Sequence, residues 1–362
     1  KSGAPSNIYL RSFYGDTYEN GRWIKKSDFS GMEKEYHDAS RMTAWQTTIG
    51  LATLLDGYYD DETNPATEKY TITMEKLSTK YTYLPYCIDP YSIDAKGDID
   101  FDEDFCITKD KGTKTIEVSA CPGFFDGSLE TSSLEPEQPL EVNNDFYAAY
   151  NNYVMENYTE KQGGDGIVAK DAKLILRTGQ LTSNMMYTGD IRENDANRIA
   201  AAQLVQQFLT SKDFKYSKNP PSTGGKDVVD NFLSNSRQGF CVHFASAGTM
   251  ILRQMGVPCR YVSGYCAKED SFKSGENDED ICEVKDSQSH AWVEIYLDDF
   301  GWIPVEMTPG YFEYVTGENP FDYIGVKGKK TNAGDAYNDS EHMNDTAADE
   351  DKLDEDAANE DT

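Results

Sequence analysis

Between Gly239 and Pro258 the sequence leaves the backbone little choice. After Cys241, the residues Phe244, Gly248, Ile251, Leu252 and Met255 recur at steps of three and four, the spacing of one face of a buried helix. Gly256 suits the left-handed position that closes such a helix, and Pro258 forbids its continuation. Upstream, Gly239 permits a tight turn. The spacing predicts a core helix whose first turn holds Cys241. That turn carries unpaired N–H groups and a partial positive charge, both of which favour an anion. A thiol there is biased toward thiolate, and the same N–H groups can steady an oxyanion formed when a thiolate attacks a carbonyl. Taken alone, Cys241 still reads first as a small buried residue, as free cysteines commonly do.

A nucleophilic cysteine needs a base, and the chain has four histidines: His37, His243, His290 and His342. His342 lies in an acidic tail and His37 in a polar segment of the strand-rich half. His243 follows Cys241 by two residues, so on a helix its side chain points away from the thiol; it reads as a packed or supporting histidine. His290 opens "SHAWVEIYLDDFGWIPVEMTPG", two strand patterns joined by a turn. His290, Trp292, Glu294 and Tyr296 share one face of the first strand, and Trp302, Pro304 and Glu306 share one face of the second. A four-residue loop from Asp298 to Gly301 would put His290 and Glu306 on opposite faces; an odd loop or a bulge would bring them together. If they meet, the carboxylate fixes the tautomer of the imidazole, and the other ring nitrogen is left to face Cys241.

The rest of the chain bounds these readings. A length of 362 residues predicts two domains, and an apolar content of 38% with 12% aromatics is enough to build their cores. Residues 8 to 130 read mainly as strands: "NIYLRSFYGDTYENGRWIKK", "KYTITMEKLSTKYTYLPY" and "TKTIEVSA" alternate apolar and polar residues between turn signals. Past Pro139, "EVNNDFYAAYNNYVMENYT" and "NDANRIAAAQLVQQFLTSKD" change to helical spacing. The expected division is a β-rich domain over 1–135, a cysteine-bearing domain with N-terminal helices over 136–326, and an acidic tail over 327–362 too polar to fold. A formal charge of −30 argues against nucleic acid and against an anionic lipid surface, and it suits solubility and self-repulsion. No apolar run approaches the roughly 20 residues of a membrane span. No signal peptide precedes Lys1, an opening expected of a segment whose parent chain carries the anchor.

Seven cysteines allow up to three disulfides with one thiol left over. Cys266 and Cys282 flank a polar loop and read as a staple across it. The chain holds no C-x-x-C pair, and its acidic loop "DAKGDIDFDEDF" lacks the ligand spacing of an EF-hand, so no metal or other cofactor is expected.

The runs "GFCVHFASAGTMILRQMGVPCRYVSGY" and "HAWVEIYLDDFGWIPVEMTPG" resemble the core of the transglutaminase-like superfamily, in particular its bacterial membrane-anchored branch with an extracytoplasmic catalytic domain. The likeness covers about residues 195 to 312, and "IYLRSFYGDTYENGRW" resembles the β-rich segment preceding the core in that branch. The resemblance implies an α+β, papain-like arrangement, a cysteine helix packed on an antiparallel sheet. By motif position it makes Cys241 the nucleophile, His290 the base and acid, and Glu306 the third member, where many relatives carry Asp. It further implies a protein or peptide substrate, a thioester intermediate passed to an amine or to water, no cofactor, and an extracellular or cell-surface location. The other expectation is a non-catalytic extracellular binding or scaffold module on the same fold.

Overall fold

A computed structural model describes residues 7–54, 67–77, 80–95, 99–108, 112–121, 144–163, 166–275 and 279–311. The expected tail over 327–362 lies outside these residues. Four antiparallel strands form the central sheet: β1 (Ile8–Gly15), β2 (Cys259–Ala267), β3 (Ser289–Leu297) and β4 (Gly301–Val305), in the spatial order in which the chain makes them. Strands β3 and β4 are buried along nearly their whole length on both faces, which is why alternation is weak in "WVEIYL" and absent from "GWIPV".

Among the described residues, five helices of three turns or more accompany the sheet: α1 (Ala39–Leu54), α2 (Asn144–Asn157), α3 (Ile167–Thr178), α4 (Ile191–Leu209) and α5 (Cys241–Met255). Helix α5 lies on β2 and β3, flanked by α3 and α4. Its close approach depends on Gly248, where a Cβ would come within 2.8 Å of Met307 Cγ and 3.3 Å of Val293 Cγ2. Phe244, Ile251, Leu252 and Met255 are all fully buried, as their spacing predicts. The helix ends at Gly256 with φ +96°, and Val257 N–H returns to Leu252 O at 3.0 Å, a Schellman closure.

The mixed helix-and-sheet class matches the expectation, with two departures in the N-terminal segment. Helix α1 stands inside the stretch that reads as strands. Its sequence is rich in β-branched Thr and Ile, and it is buried around most of its circumference, so no polar stripe announces a helix. Strand β1 pairs with β2, so the first strand of the expected β-rich segment is built into the sheet under α5. The other strands of that segment form smaller sheets, Glu68–Leu77 with Gly112–Ala120 and Asp94–Ala95, and hairpins of Thr17–Glu19 with Arg22–Ile24 and of Ile99–Asp102 with Phe105–Thr108.

The expected staple between Cys266 and Cys282 is corrected: both are free thiols. Cys266 turns into the interior beside Tyr9, where burial pushes its thiol up to about 12, while Cys282 stays half-exposed at the surface.

Candidate active site

Helix α5 begins at Cys241, with Phe240 as an extended cap residue (φ −109°, ψ −177°). The preceding turn is tight. Arg237 adopts φ +48°, and Gly239 lies so near His243 that a Cβ there would meet the His243 Cβ at 2.6 Å. Gln238–Gly239 is held by parallel pairing with Lys215–Tyr216. His243 Nδ1 accepts the Phe240 N–H at 3.4 Å, and burial pushes its imidazole down to about 4. It is therefore a neutral capping group facing the turn, in keeping with the supporting place its spacing predicts. His37 is exposed in a turn, and His342 lies outside the described residues.

The hairpin resolves the parity question. Val293 pairs with Val305 and Leu297 with Gly301, which leaves a three-residue turn, Asp298 to Phe300. Gly301 closes it at φ +80°, the left-handed residue that three-residue hairpins use. An odd turn keeps even-numbered residues of both strands on one face, so His290 and Glu306 point the same way. His290 Nε2 and Glu306 Oε2 are 2.6 Å apart, both side chains fully buried.

The other ring nitrogen, Nδ1, is buried and makes no hydrogen bond of ordinary geometry among the described residues; Cys241 lies close enough to the imidazole to raise its basicity. Burial alone would lower the basicity of His290. The charge of Glu306, its hydrogen bond to the ring and the neighbouring Cys241 outweigh it and lift the ring to about 10. Tyr311 stacks on the ring with centroids 3.9 Å apart and planes 12° from parallel, so the imidazole is covered as well as hydrogen-bonded.

Glu306 is held from several directions. Oε2 also accepts the Tyr9 hydroxyl at 2.7 Å, Oε1 accepts the Thr308 N–H at 2.8 Å, and the backbone carbonyl accepts Gln206 Nε2 at 2.8 Å. These donors offset the cost of burying a carboxylate. Thus Cys241, His290 and Glu306 come together from α5, the start of β3 and the end of β4. Sequence reasoning missed Tyr9, Gln206 and Tyr311. Alternation in "IYLRSFYG" gives Tyr9 a face of its strand, but nothing in the sequence relates it to a carboxylate 297 positions away. Among the described residues, no group of three or more His, Cys, Asp or Glu could hold a metal ion.

Comparison with known proteins fits this geometry. Residues 186–307 match the transglutaminase-like superfamily core. The chain is 32% identical over 210 residues to the uncharacterized protein YebA of Bacillus subtilis, covering 55% of this chain and 28% of that protein. It is 35% identical over 119 residues to a protein-glutamine gamma-glutamyltransferase of Pseudomonas aeruginosa, covering 33% of this chain and 17% of that protein. The matched stretches are thus less than a third of either relative's length. The fold resembles the crystal structure of the periplasmic domain of TgpA from Pseudomonas aeruginosa, with a TM-score of 0.52 at 20% identity over 83% of this chain and 81% of that one. Residues 186–307, in which the helix opened by Cys241 packs on an antiparallel sheet, are thus a transglutaminase-like core domain within this chain.

Proposed function

We propose that this chain is a thiol-dependent acyltransferase or hydrolase acting on protein or peptide amides, with Cys241 as nucleophile, His290 as base and acid, and Glu306 as the group that orients His290. The observation that carries the reading is a buried imidazole with one nitrogen on a carboxylate and its other side on a thiol at a helix start. A ring lifted to about 10 rests as imidazolium at neutral pH, which favours a thiolate–imidazolium pair. The thiolate adds to the amide carbonyl. The developing oxyanion is met by N–H groups at the very start of α5, ahead of His243, whose own N–H donates to Phe240 O at 2.9 Å. The Nδ1 proton passes to the leaving nitrogen as the C–N bond breaks, giving a Cys241 thioester and free amine or ammonia. An incoming amine or water then gives its proton to Nδ1 while attacking the thioester, and the thiolate is restored. An amine acceptor makes a crosslink; water gives deamidation or peptide cleavage.

The likeness to a glutamyltransferase and to a periplasmic domain supports the amide substrate and an extracytoplasmic location. The described residues include no helix long and apolar enough to cross a membrane.

The test is the rate of iodoacetamide alkylation of Cys241 against pH in the wild type, His290→Ala and Glu306→Ala. Wild type is expected to be alkylated readily at pH 6, as suits a thiol beside an imidazole partner. His290→Ala is expected to lose at least about tenfold of that rate at pH 6, in line with the worth of a matched proton-transfer partner. Equal rates in wild type and His290→Ala would leave the non-catalytic scaffold instead.

A further inference from the structure

We infer that Tyr9, on β1, is a positioning residue of this site: its hydroxyl holds Glu306 so that Oε2 stays on His290 Nε2. The inference rests on the catalytic reading above and adds a member from outside residues 186–307. Tyr9 and His290 share a single carboxylate oxygen, at 2.7 and 2.6 Å. Tyr9 is 1% exposed, its ring is set edge-on to Trp292 at 5.1 Å, and β1 is locked to β2 with Tyr9 opposite Cys266. The phenol is thus fixed by packing before it meets the carboxylate.

The need for such a donor follows from the residue at the third position. A Glu side chain has one more rotatable bond than an Asp, hence more ways to move Oε2 off the imidazole. Thr308 N–H restrains only the other oxygen, Oε1. Removing the Tyr9 hydroxyl leaves Oε2 with His290 as its remaining side-chain donor among the described contacts. Burial, reinforced by the charge of Glu306, pushes the Tyr9 phenol well above its ordinary value, so it remains a donor throughout the working pH range. The titratable groups facing His290 are Cys241 on α5, Glu306 after β4, Tyr9 on β1 and Tyr311 beyond it; Tyr9 is the one of these that reaches the site through the N-terminal strand. On this view the core at residues 186–307 is incomplete without β1.

Tyr9→Phe in the full chain tests the assignment, since it removes the hydroxyl and keeps the ring. The primary readout is the proton NMR titration of the His290 C2–H, assigned by its loss in His290→Ala. The expected result is a titration moved down from about 10 toward the ordinary value near 6.5, by roughly one unit or more, as the carboxylate leaves the ring. Iodoacetamide alkylation of Cys241 at pH 6 is expected to slow by about tenfold. An unchanged titration, with only a lower melting temperature, would show that Tyr9 merely packs. An upward shift would show that it competes with His290 for Oε2, and would equally overturn the assignment. The titration decides the role of Tyr9, whereas the wild-type and His290→Ala alkylation rates decide the catalytic reading, so the two can fail separately.

Discussion

His290 concentrates most of the site's electrostatics in one ring, and that has a consequence for the folded state. Folding raises the imidazole from an ordinary value near 6.5 to about 10. Between those values the native state binds a proton that the unfolded chain does not. The stabilisation is complete below about pH 6.5 and drains away as pH rises through 10. The melting temperature of wild type is therefore expected to fall from pH 7 to pH 10 more steeply than that of His290→Ala; parallel curves would show that the ring does not hold its proton. Reading the residue from sequence had a definite limit. Of four histidines, position and strand pattern singled out His290, yet its partner on Nε2 depended on a turn geometry that the letters leave open.

At the scale of the element, the cysteine helix was legible because both ends carry backbone signals and its buried face is continuous. The hairpin was legible as two strands, but the face of Glu306 turns on whether the loop holds three residues or four. Gly301 makes the choice. At φ +80° an L-residue with a side chain is strained, and a Cβ would also come within 3.2 Å of the Thr47 N and Oγ1 of α1. Gly301→Ala is expected to cost about 1–2 kcal/mol of unfolding free energy, measured by urea denaturation. A loss below about 0.3 kcal/mol would mean that the turn accepts another conformation, and that the register is set elsewhere.

Over the whole molecule, a buried ionic cluster joins the strand-rich segment to the core. Asp104 accepts both Arg11 Nη1 at 2.5 Å and Arg260 Nη2 at 2.8 Å, and Arg260 also pairs with Glu294 at 2.6 Å. Beside it Glu103 is pushed up by burial and accepts the hydroxyls of Tyr14, Tyr150 and Tyr158 at 2.8, 2.6 and 2.6 Å. The arginines come from β1 and β2, Glu294 from β3, and Glu103 and Asp104 from the turn between Ile99–Asp102 and Phe105–Thr108. Removing one partner leaves buried charge uncompensated, so Asp104→Ala is expected to destabilise the fold by about 3–5 kcal/mol. The loss is expected to be nearly insensitive to salt, because the cluster is shielded from solvent ions. A loss under 1 kcal/mol, or one erased by salt, would mean that water reaches the cluster.

What the sequence determined by itself is local and periodic: the helix behind Cys241, its stop at Gly256 and Pro258, the strands around His290 and Glu306, and the order in which the three chemical groups follow one another. These come from backbone preferences and side-chain spacing within a few residues. The tertiary structure alone decided that β1 enters the core sheet, that Tyr9 reaches Glu306, that Cys266 faces inward instead of joining Cys282, and that Tyr311 covers the imidazole. Each of these is a meeting of segments far apart in the chain, settled by which buried polar groups can satisfy one another once the sheet has closed.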